Sequence, residues 1–385
     1  MIAPAQSLVI VGSGLGAWTV VKEFRKLDVH TPITLITRDN GDFYSKPMLS
    51  NALSSGKTAA QLVSTTSAAM AAQWDVKLMT HTHVSAIDPA ACNLLTSQGP
   101  VAYSRLVLAT GADPVRLPLQ GHAADRVLSV NDLQDYAALR EQLEGTRRVA
   151  VIGAGLIGCE FANDLVQAGY AVDVIDPGTQ PLGRLLPPEA GRLVGRALEN
   201  AGVRFHWGTS VQAVDAAQPG LQLTLANGQS LASDVVLSAV GLRPRTALAQ
   251  AAGLQTARGI VVNRQLQTSQ PGIYAVGDVA EVEGLLLPYV MPLMQSARTL
   301  AAHLAGQETS LRYPAMPVVV KTPAIAVVVS PPAPGASGQW QMTAHDDGLE
   351  ARFVDAEGAL QGFALVGKAT TQKTLLQKSL PAVLA

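Results

Sequence analysis

Short apolar runs that end in glycine recur along the chain and set its expected plan. Leu8-Val9-Ile10-Val11 leads into Gly12-Ser13-Gly14-Leu15-Gly16-Ala17, and Val149-Ala150-Val151-Ile152 leads into Gly153-Ala154-Gly155-Leu156-Ile157-Gly158. Such runs, with no polar alternation, fit strands covered on both faces, as in a parallel sheet. Beyond each glycine segment a helix-like stretch returns to a β-rich run, Ile33-Thr34-Leu35-Ile36-Thr37 in the first copy and Ala171-Val172-Asp173-Val174-Ile175-Asp176 in the second. Each copy later holds another apolar run closed by glycine: Leu106-Val107-Leu108-Ala109-Thr110-Gly111, and Val235-Val236-Leu237-Ser238-Ala239-Val240-Gly241. A β-α-β unit with a late strand thus occurs twice, which predicts two Rossmann-like dinucleotide-binding domains.

The remaining pattern divides the chain. Arg116 to Asn131, with Pro118 and Gly121, reads as a crossing out of the first unit, and Arg243-Pro244-Arg245 as the return. A strand then runs into Gly277-Asp278, followed by a helix near Met291 to Leu304. Ala315 to Ser330 is broken by Pro317, Lys321 and Pro323 and predicts two short strands. Past the turn-rich Pro331-Pro332-Ala333-Pro334-Gly335, Trp340 to Phe353 and Ala359 to Val366 read as strands and Thr370 to Lys378 as a helix. The expected fold class is α/β. Residues 1–117 and 245–321 form a discontinuous first domain, 118–244 the second, and 322–385 a small α+β third domain.

Composition narrows the function classes. Of 385 residues 48% are apolar and 15% charged, enough to bury large cores and too apolar for a disordered chain. With 28 Lys+Arg against 29 Asp+Glu, no global field draws in nucleic acid or an anionic membrane. No apolar run reaches the length of a spanning helix. The N-terminal run suits a first strand and not a signal peptide. Two cysteines, Cys92 and Cys159, exclude a disulfide framework and fit a reducing cytoplasm. His81 and His83 alternate without acid or cysteine company, so no metal is assigned.

Candidate chemistry starts at the glycines. Gly12 and Gly14 tighten the turn and let a pyrophosphate approach the backbone, where a helix N-terminus supplies free N–H groups. Ala17 takes the third position of the fingerprint, and Gly153, Gly155 and Gly158 complete the second copy. Two copies imply two dinucleotides. Asp176 ends the second strand of the second unit, where a carboxylate accepts hydrogen bonds from a ribose 2′-OH and repels a 2′-phosphate, favouring NADH. The alternative is a surface aspartate capping a turn. In the first unit Thr37-Arg38-Asp39 offers Asp39 for the same task, with Arg38 interposed.

With its two fingerprints, its Ala109-Thr110-Gly111 and its Ile273-Tyr274-Ala275-Val276-Gly277-Asp278 end, the chain resembles the FAD-dependent pyridine-nucleotide oxidoreductases of the glutathione-reductase fold over nearly its whole length. The resemblance implies bound FAD and NADH as substrate. FAD falls to Gly12, Ser13, Gly14, Leu15, Gly16, Ala17, Thr37, Asp39, Lys46, Val84, Ala109, Thr110, Gly111, Gly277, Asp278, Val290 and Lys321. NADH falls to Gly153, Gly155, Leu156, Ile157, Gly158, Glu160, Asp176 and Gly241. Asp278 would hold a ribityl hydroxyl, and Val84 would meet adenine through its backbone. The helix starting near Val290, or Lys46 and Lys321, would stabilise negative charge on the reduced flavin. Glu160 is similar in place to a family glutamate that faces flavin and nicotinamide, and its expected partner is Lys46. Lys46 and Glu160 are therefore the catalytic candidates. Bland alternatives are helix-dipole complementarity for Glu160 and a solvated edge lysine for Lys321.

A thiol relay is missing. Tyr44-Ser45-Lys46-Pro47-Met48-Leu49-Ser50-Asn51, in place of the redox-cysteine helix of the disulfide reductases, holds no cysteine. Cys159 is expected to pack in a helix and Cys92 to lie in a hairpin. This segment, with Gly158-Cys159-Glu160-Phe161-Ala162-Asn163-Asp164-Leu165, Tyr289-Val290-Met291-Pro292-Leu293-Met294 and Val320-Lys321-Thr322-Pro323, resembles the branch of the family that reduces rubredoxin, a small acidic electron carrier. Related branches reduce flavorubredoxin or ferredoxin. One departure is Asn51, where ferredoxin reductases of this fold carry a lysine, so that contact comes from Lys46 or is not made at all. The resemblance implies a monomer docking its partner transiently, with Arg243, Arg245, Lys368, Lys373 and Lys378 as candidate steering charges; the alternative for these five is an ordinary solvated face. A competing class, a flavin-binding protein using NADH only as a ligand, would lack turnover.

Overall fold

A computed structural model describes residues 7–385. The strand Leu8–Val11 is buried at every position and sits at the centre of a five-stranded parallel sheet. On one side it pairs with Arg105–Leu108 (Leu8 opposite Arg105), which pairs with Ile273–Ala275. On the other side come Ile33–Ile36 (Leu8 opposite Ile33) and Val76–Met79. The second unit repeats this in a four-stranded parallel sheet, ordered Val203–Trp207, Ala171–Asp176, Arg148–Ile152, Val235–Ser238. In each sheet the chain leaves the fingerprint strand to both sides, so a crevice opens at the carboxyl end of that strand.

The duplication goes further than the glycine runs announce. Both units carry a three-stranded antiparallel meander before the late strand: Val84–Asp88, Asn93–Thr96 and Gly99–Ala102 in the first, Val211–Ala216, Leu221–Leu225 and Ser230–Ser233 in the second. Cys92 sits at the first hairpin turn with φ of 50°. Helix Leu15–Arg25 buries Trp18, Val20, Val21 and Phe24 between the first sheet and helix Val290–Leu304. Helix Leu156–Gln167 buries every residue from Gly158 to Leu165, because it meets all three parts of the molecule.

The crossings between units are stitched together. Ala112–Pro114 pairs antiparallel with Leu242–Pro244, Ala112 opposite Pro244. Arg245 closes the seam, donating from Nε to Asp113 at 2.7 Å and from its terminal nitrogen to the Thr110 carbonyl at 2.7 Å. That guanidinium holds the Asp113 carboxyl below its ordinary pKa.

The C-terminal part is a five-stranded antiparallel sheet, in the order Val318–Val320, Val327–Ser330, Leu360–Gly367, Gly348–Val354, Gln339–His345. Its first strand lies ahead of Thr322. The stretch from Trp340 to Phe353 is a hairpin of two strands, turned at Asp346-Asp347, a dipeptide before glycine that favours a tight turn. The last helix, Lys373–Ser379, begins later than its sequence pattern, after a 3₁₀ turn over Lys368–Gln372. Among the described residues no helix is long and apolar enough to cross a membrane. Among them, too, no three His, Cys, Asp or Glu side chains gather to hold a metal.

Candidate functional site

The two crevices merge into one cleft of about 3620 Å³, lined by both glycine loops, the 44–50 segment, the start of helix Val290–Leu304 and Lys321. The loops are shaped for a ligand that approaches the backbone. Gly12 has φ of +116°, and a Cβ there would stand 2.2 Å from the Ala109 carbonyl oxygen. Gly153 has φ of +104°, with the Ala239 oxygen 2.9 Å from such a Cβ. These glycines let the loop cross its neighbouring strand. Gly14 and Gly155 differ, since a Cβ there meets no protein atom within 4 Å. Each is the N-cap of its helix and caps it with no side chain, so the first N–H groups point into the cleft. A pyrophosphate fits both places. The donor set therefore suits two dinucleotides, one at Gly14 and one at Gly155.

Most of the expected residues line this cleft. Gly12, Ser13, Gly14, Leu15, Gly16, Thr37, Asp39, Lys46, Val84, Ala109, Thr110, Gly111, Gly277, Asp278, Val290 and Lys321 lie on it, as do Gly153, Gly155, Leu156, Ile157, Glu160, Asp176 and Gly241. Ala17 and Gly158 are exceptions and do not reach it. Ala17 is fully buried, and a Cβ on Gly158 would stand 1.9 Å from the Gly153 oxygen. The third fingerprint position sets how closely helix and loop pack and offers nothing to a ligand.

The two acids at the ends of the second strands are built alike. Asp176 accepts the Ala154 N–H on one oxygen and the Gly178 N–H on the other, each at 2.7 Å. Asp39 accepts the Thr37 hydroxyl at 2.6 Å, the Gly41 N–H at 2.9 Å and the Ser13 hydroxyl at 3.1 Å. Each carboxylate is thereby tied to its own fingerprint loop. For Asp176 the turn-capping reading holds, and it leaves the residue facing the cleft as well.

Glu160 has a different partner from the one expected. Its carboxylate is fully buried; Oε2 accepts the Ser50 hydroxyl at 2.6 Å and the Lys321 ammonium at 2.5 Å, and Oε1 accepts the Lys321 backbone N–H at 3.0 Å. Lys46 makes none of these contacts. The reason is reach: Lys321 comes from the turn after Val318–Val320, where Pro323 stops the strand, and its side chain crosses to the 47–51 segment. There it also donates to the Pro47 carbonyl at 2.7 Å, Ser50 Oγ at 3.0 Å and Asn51 Oδ1 at 2.9 Å. Asn51 returns a bond from Nδ2 to the Lys321 carbonyl at 3.1 Å. The ammonium absent at position 51 is thus delivered from the C-terminal sheet. Four acceptors and a side chain only 34% exposed exclude the solvated edge lysine, and full burial excludes a mere dipole role for Glu160.

Lys46 stands apart, on the far side of the 3₁₀ turn Lys46–Asn51. Burial lowers its pKa, opposed by the nearby Asp278 carboxylate. Burial raises the pKa of Asp278, opposed by Lys46 and then Arg245. Both side chains line the cleft.

Sequence reasoning missed Ser50, Asn163 and Asp164. Asp164, 2% exposed, accepts the Leu53 N–H at 2.8 Å, the Ser54 N–H at 3.1 Å and the Ser54 hydroxyl at 2.5 Å. Asn163 accepts the Ala324 N–H at 3.0 Å, while its buried Nδ2 has no partner. An orphaned buried amide costs about 1–3 kcal/mol. The available signal was three polar residues at i, i+3 and i+4 on a helix otherwise built of Phe161, Ala162 and Leu165.

Neither cysteine lines the cleft. Cys159 is fully buried, donates to the Ala154 carbonyl at 3.2 Å, and has its thiol pushed up to about 12 by burial. Cys92 is exposed in its hairpin turn.

Comparison with known proteins agrees with this architecture. The model of the pyridine nucleotide-disulphide oxidoreductase family matches residues 6–303, and a rubredoxin binding C-terminal domain model matches residues 310–380. A rubredoxin-NAD(+) reductase of Alcanivorax borkumensis is 49% identical, covering 98% of this chain and 99% of that one. A nitric oxide reductase FlRd-NAD(+) reductase of Aeromonas salmonicida is 40% identical over 98% of this chain and 97% of its own. The crystal structure of a ferredoxin reductase from Rhodopseudomonas palustris superposes with a TM-score of 0.89 at 27% identity, covering 98% and 96% of the two chains. Matched over its two dinucleotide units and along nearly the whole length of its relatives, the chain belongs to the pyridine nucleotide-disulphide oxidoreductase family.

Proposed function

We propose that the chain is an NADH-dependent reductase of rubredoxin, with FAD in the Gly14 cradle and NADH in the Gly155 cradle. When bound, FAD takes a hydride from NADH and releases the two electrons one at a time. The observation that carries this reading is the fixed Glu160–Ser50–Lys321 cluster between the two cradles, in a cleft that no cysteine lines. A route through a thiol pair is absent, so a direct electron path to a one-electron carrier remains.

The chain's own groups have defined tasks. Helix N-termini at Gly14 and Gly155 hold the two pyrophosphates, and Asp39 and Asp176 hold the two riboses. Asp278 takes a ribityl hydroxyl, and the Val84 backbone meets adenine. Lys46 and the start of helix Val290–Leu304 place positive potential where the flavin ring gains charge. Glu160, locked by Lys321, faces the nicotinamide.

Rubredoxin as partner is supported by the C-terminal model and by the relatives' names, with identity higher to the rubredoxin-named relative (49%) than to the flavorubredoxin-named one (40%). Among the steering candidates Arg245 is engaged by Asp113 and Lys368 by Asp347, whereas Lys373 stands on the cleft. Lys373, with Arg243 and Lys378, is left to attract an acidic carrier in a transient, salt-sensitive encounter. The chain acts as a cytoplasmic monomer in this reading.

The test is NADH-driven cytochrome c reduction with and without added rubredoxin. Rubredoxin should raise the rate at least tenfold, and should do so within a few-fold equally in the Cys92→Ser, Cys159→Ser double variant, where serine keeps the bond to the Ala154 carbonyl. Stimulation by flavorubredoxin or a ferredoxin but not by rubredoxin would reassign the partner. Loss of turnover in an FAD-loaded double variant would overturn direct transfer.

A further inference from the structure

Helix Leu156–Gln167 aims three polar side chains at its neighbours, and the cluster described above uses only Glu160. Asp164 is a buried carboxylate whose hydrogen-bond partners include no cation; its oxygens are filled by two backbone N–H groups and a hydroxyl of residues 53 and 54. Asn163 takes the N–H of Ala324 and leaves its own Nδ2 unpartnered. The donors lie three residues beyond the cluster on each arm: Leu53 follows Ser50, and Ala324 follows Lys321. One helical turn past Glu160, the same helix therefore grips both strands of chain that bring groups to Glu160.

Apolar packing also joins the arms to the helix, since Leu49, Ala52, Leu53, Phe161, Ala162, Leu165 and Val320 share one buried cluster. Beside that cluster lies an open depression of about 370 Å³, lined by Asn51, Ser54, Asp164, Lys321 and Thr322 among others, where directional hydrogen bonds add to the packing in setting the register of the two arms. Buried polar groups that face chiefly another segment's backbone are costly and are satisfied only in one arrangement.

We propose that Asp164, with Asn163, is a positioning residue. It fixes the 46–54 segment, and through it Lys46 and Ser50, relative to Glu160, while Asn163 fixes the turn that carries Lys321. This rests on the flavoprotein reading above. Neither residue touches the cleft, and both act through the groups they hold.

The Asp164→Asn variant tests this, since it turns one acceptor into a donor facing N–H groups. FAD-loaded wild type and variant are titrated with dithionite, then mixed anaerobically with NADH. At a fixed poise the reduced-to-oxidised ratio of the flavin should change at least fivefold. Bleaching at saturating NADH should slow at least tenfold, with the half-saturating NADH concentration unchanged within threefold. A folded variant with the wild-type ratio and rate would make Asp164 a simple interdomain tie and overturn the proposal. Should Asp164→Asn lose FAD, Asn163→Ala tests the Lys321 arm by the same two readouts, and wild-type values there overturn the proposal equally. A wild type that NADH fails to bleach would count against the proposed function, while the dithionite titration would still decide the positioning role.

Discussion

The pair between Glu160 and Lys321 lends itself to a quantitative test, because its two ends are so unequal. Glu160 is wholly buried, whereas the Lys321 side chain keeps 34% of its exposure. Removing one partner of a fully buried pair costs about 3–5 kcal/mol, because the other charge is stranded. Here Ser50 and the Lys321 backbone N–H remain as donors to the carboxylate. Together with solvent screening at the lysine, they reduce the expected loss for Lys321→Met to about 2 kcal/mol. Glu160→Gln added to Lys321→Met removes the stranded charge and should recover at least half of the loss at pH 8. Urea unfolding of wild type, both single variants and the double variant at pH 8 measures this. A Lys321→Met variant as stable as the double at pH 8 would refute the buried-pair argument.

Two further outcomes follow from the glycine loops and the acid beside them. NADH should be preferred over NADPH at least tenfold in kcat/KM, and Asp176→Ala should shrink that preference; unchanged discrimination would remove Asp176 from nucleotide selection. Gly155→Val places its side chain in open space in the cleft, so the protein should fold and retain FAD while KM for NADH rises at least tenfold. Gly158→Ala, whose Cβ would stand 1.9 Å from the Gly153 oxygen, should instead destabilise the second unit itself, read as a lower thermal transition and not only as weaker NADH binding.

The fold was legible where covalent geometry leaves few choices. A four-residue apolar run into Gly-x-Gly reads as strand, turn and helix because glycine alone takes the positive φ seen at Gly12 and Gly153. The pairing of Glu160 was not legible. Its partner lies 161 positions away on a separate sheet, and nothing local distinguishes Lys321 from Lys46 as the lysine that arrives. The resemblance placed both lysines at the flavin, but only the turn stopped by Pro323 shows which ammonium meets the carboxylate. Asn163 and Asp164 were hidden for a related reason, since three of their four donors are backbone N–H groups that carry no residue identity.

The stitched crossing also bears on how such a chain came about and how it can be taken apart. Ala112 stands opposite Pro244 on one antiparallel ladder, so the chain enters and leaves the intervening segment at points about 5 Å apart. A unit whose two ends meet is topologically neutral to its host: it can be inserted into, or excised from, the surrounding domain without rerouting any other strand. Four of the five strands of the outer sheet recur in the same order in the inner one, and each half carries its own three-stranded meander. Joining Pro114 to Leu242 through a short turn would leave the outer domain's five parallel strands in their present order, and the excised stretch would carry a complete sheet of its own.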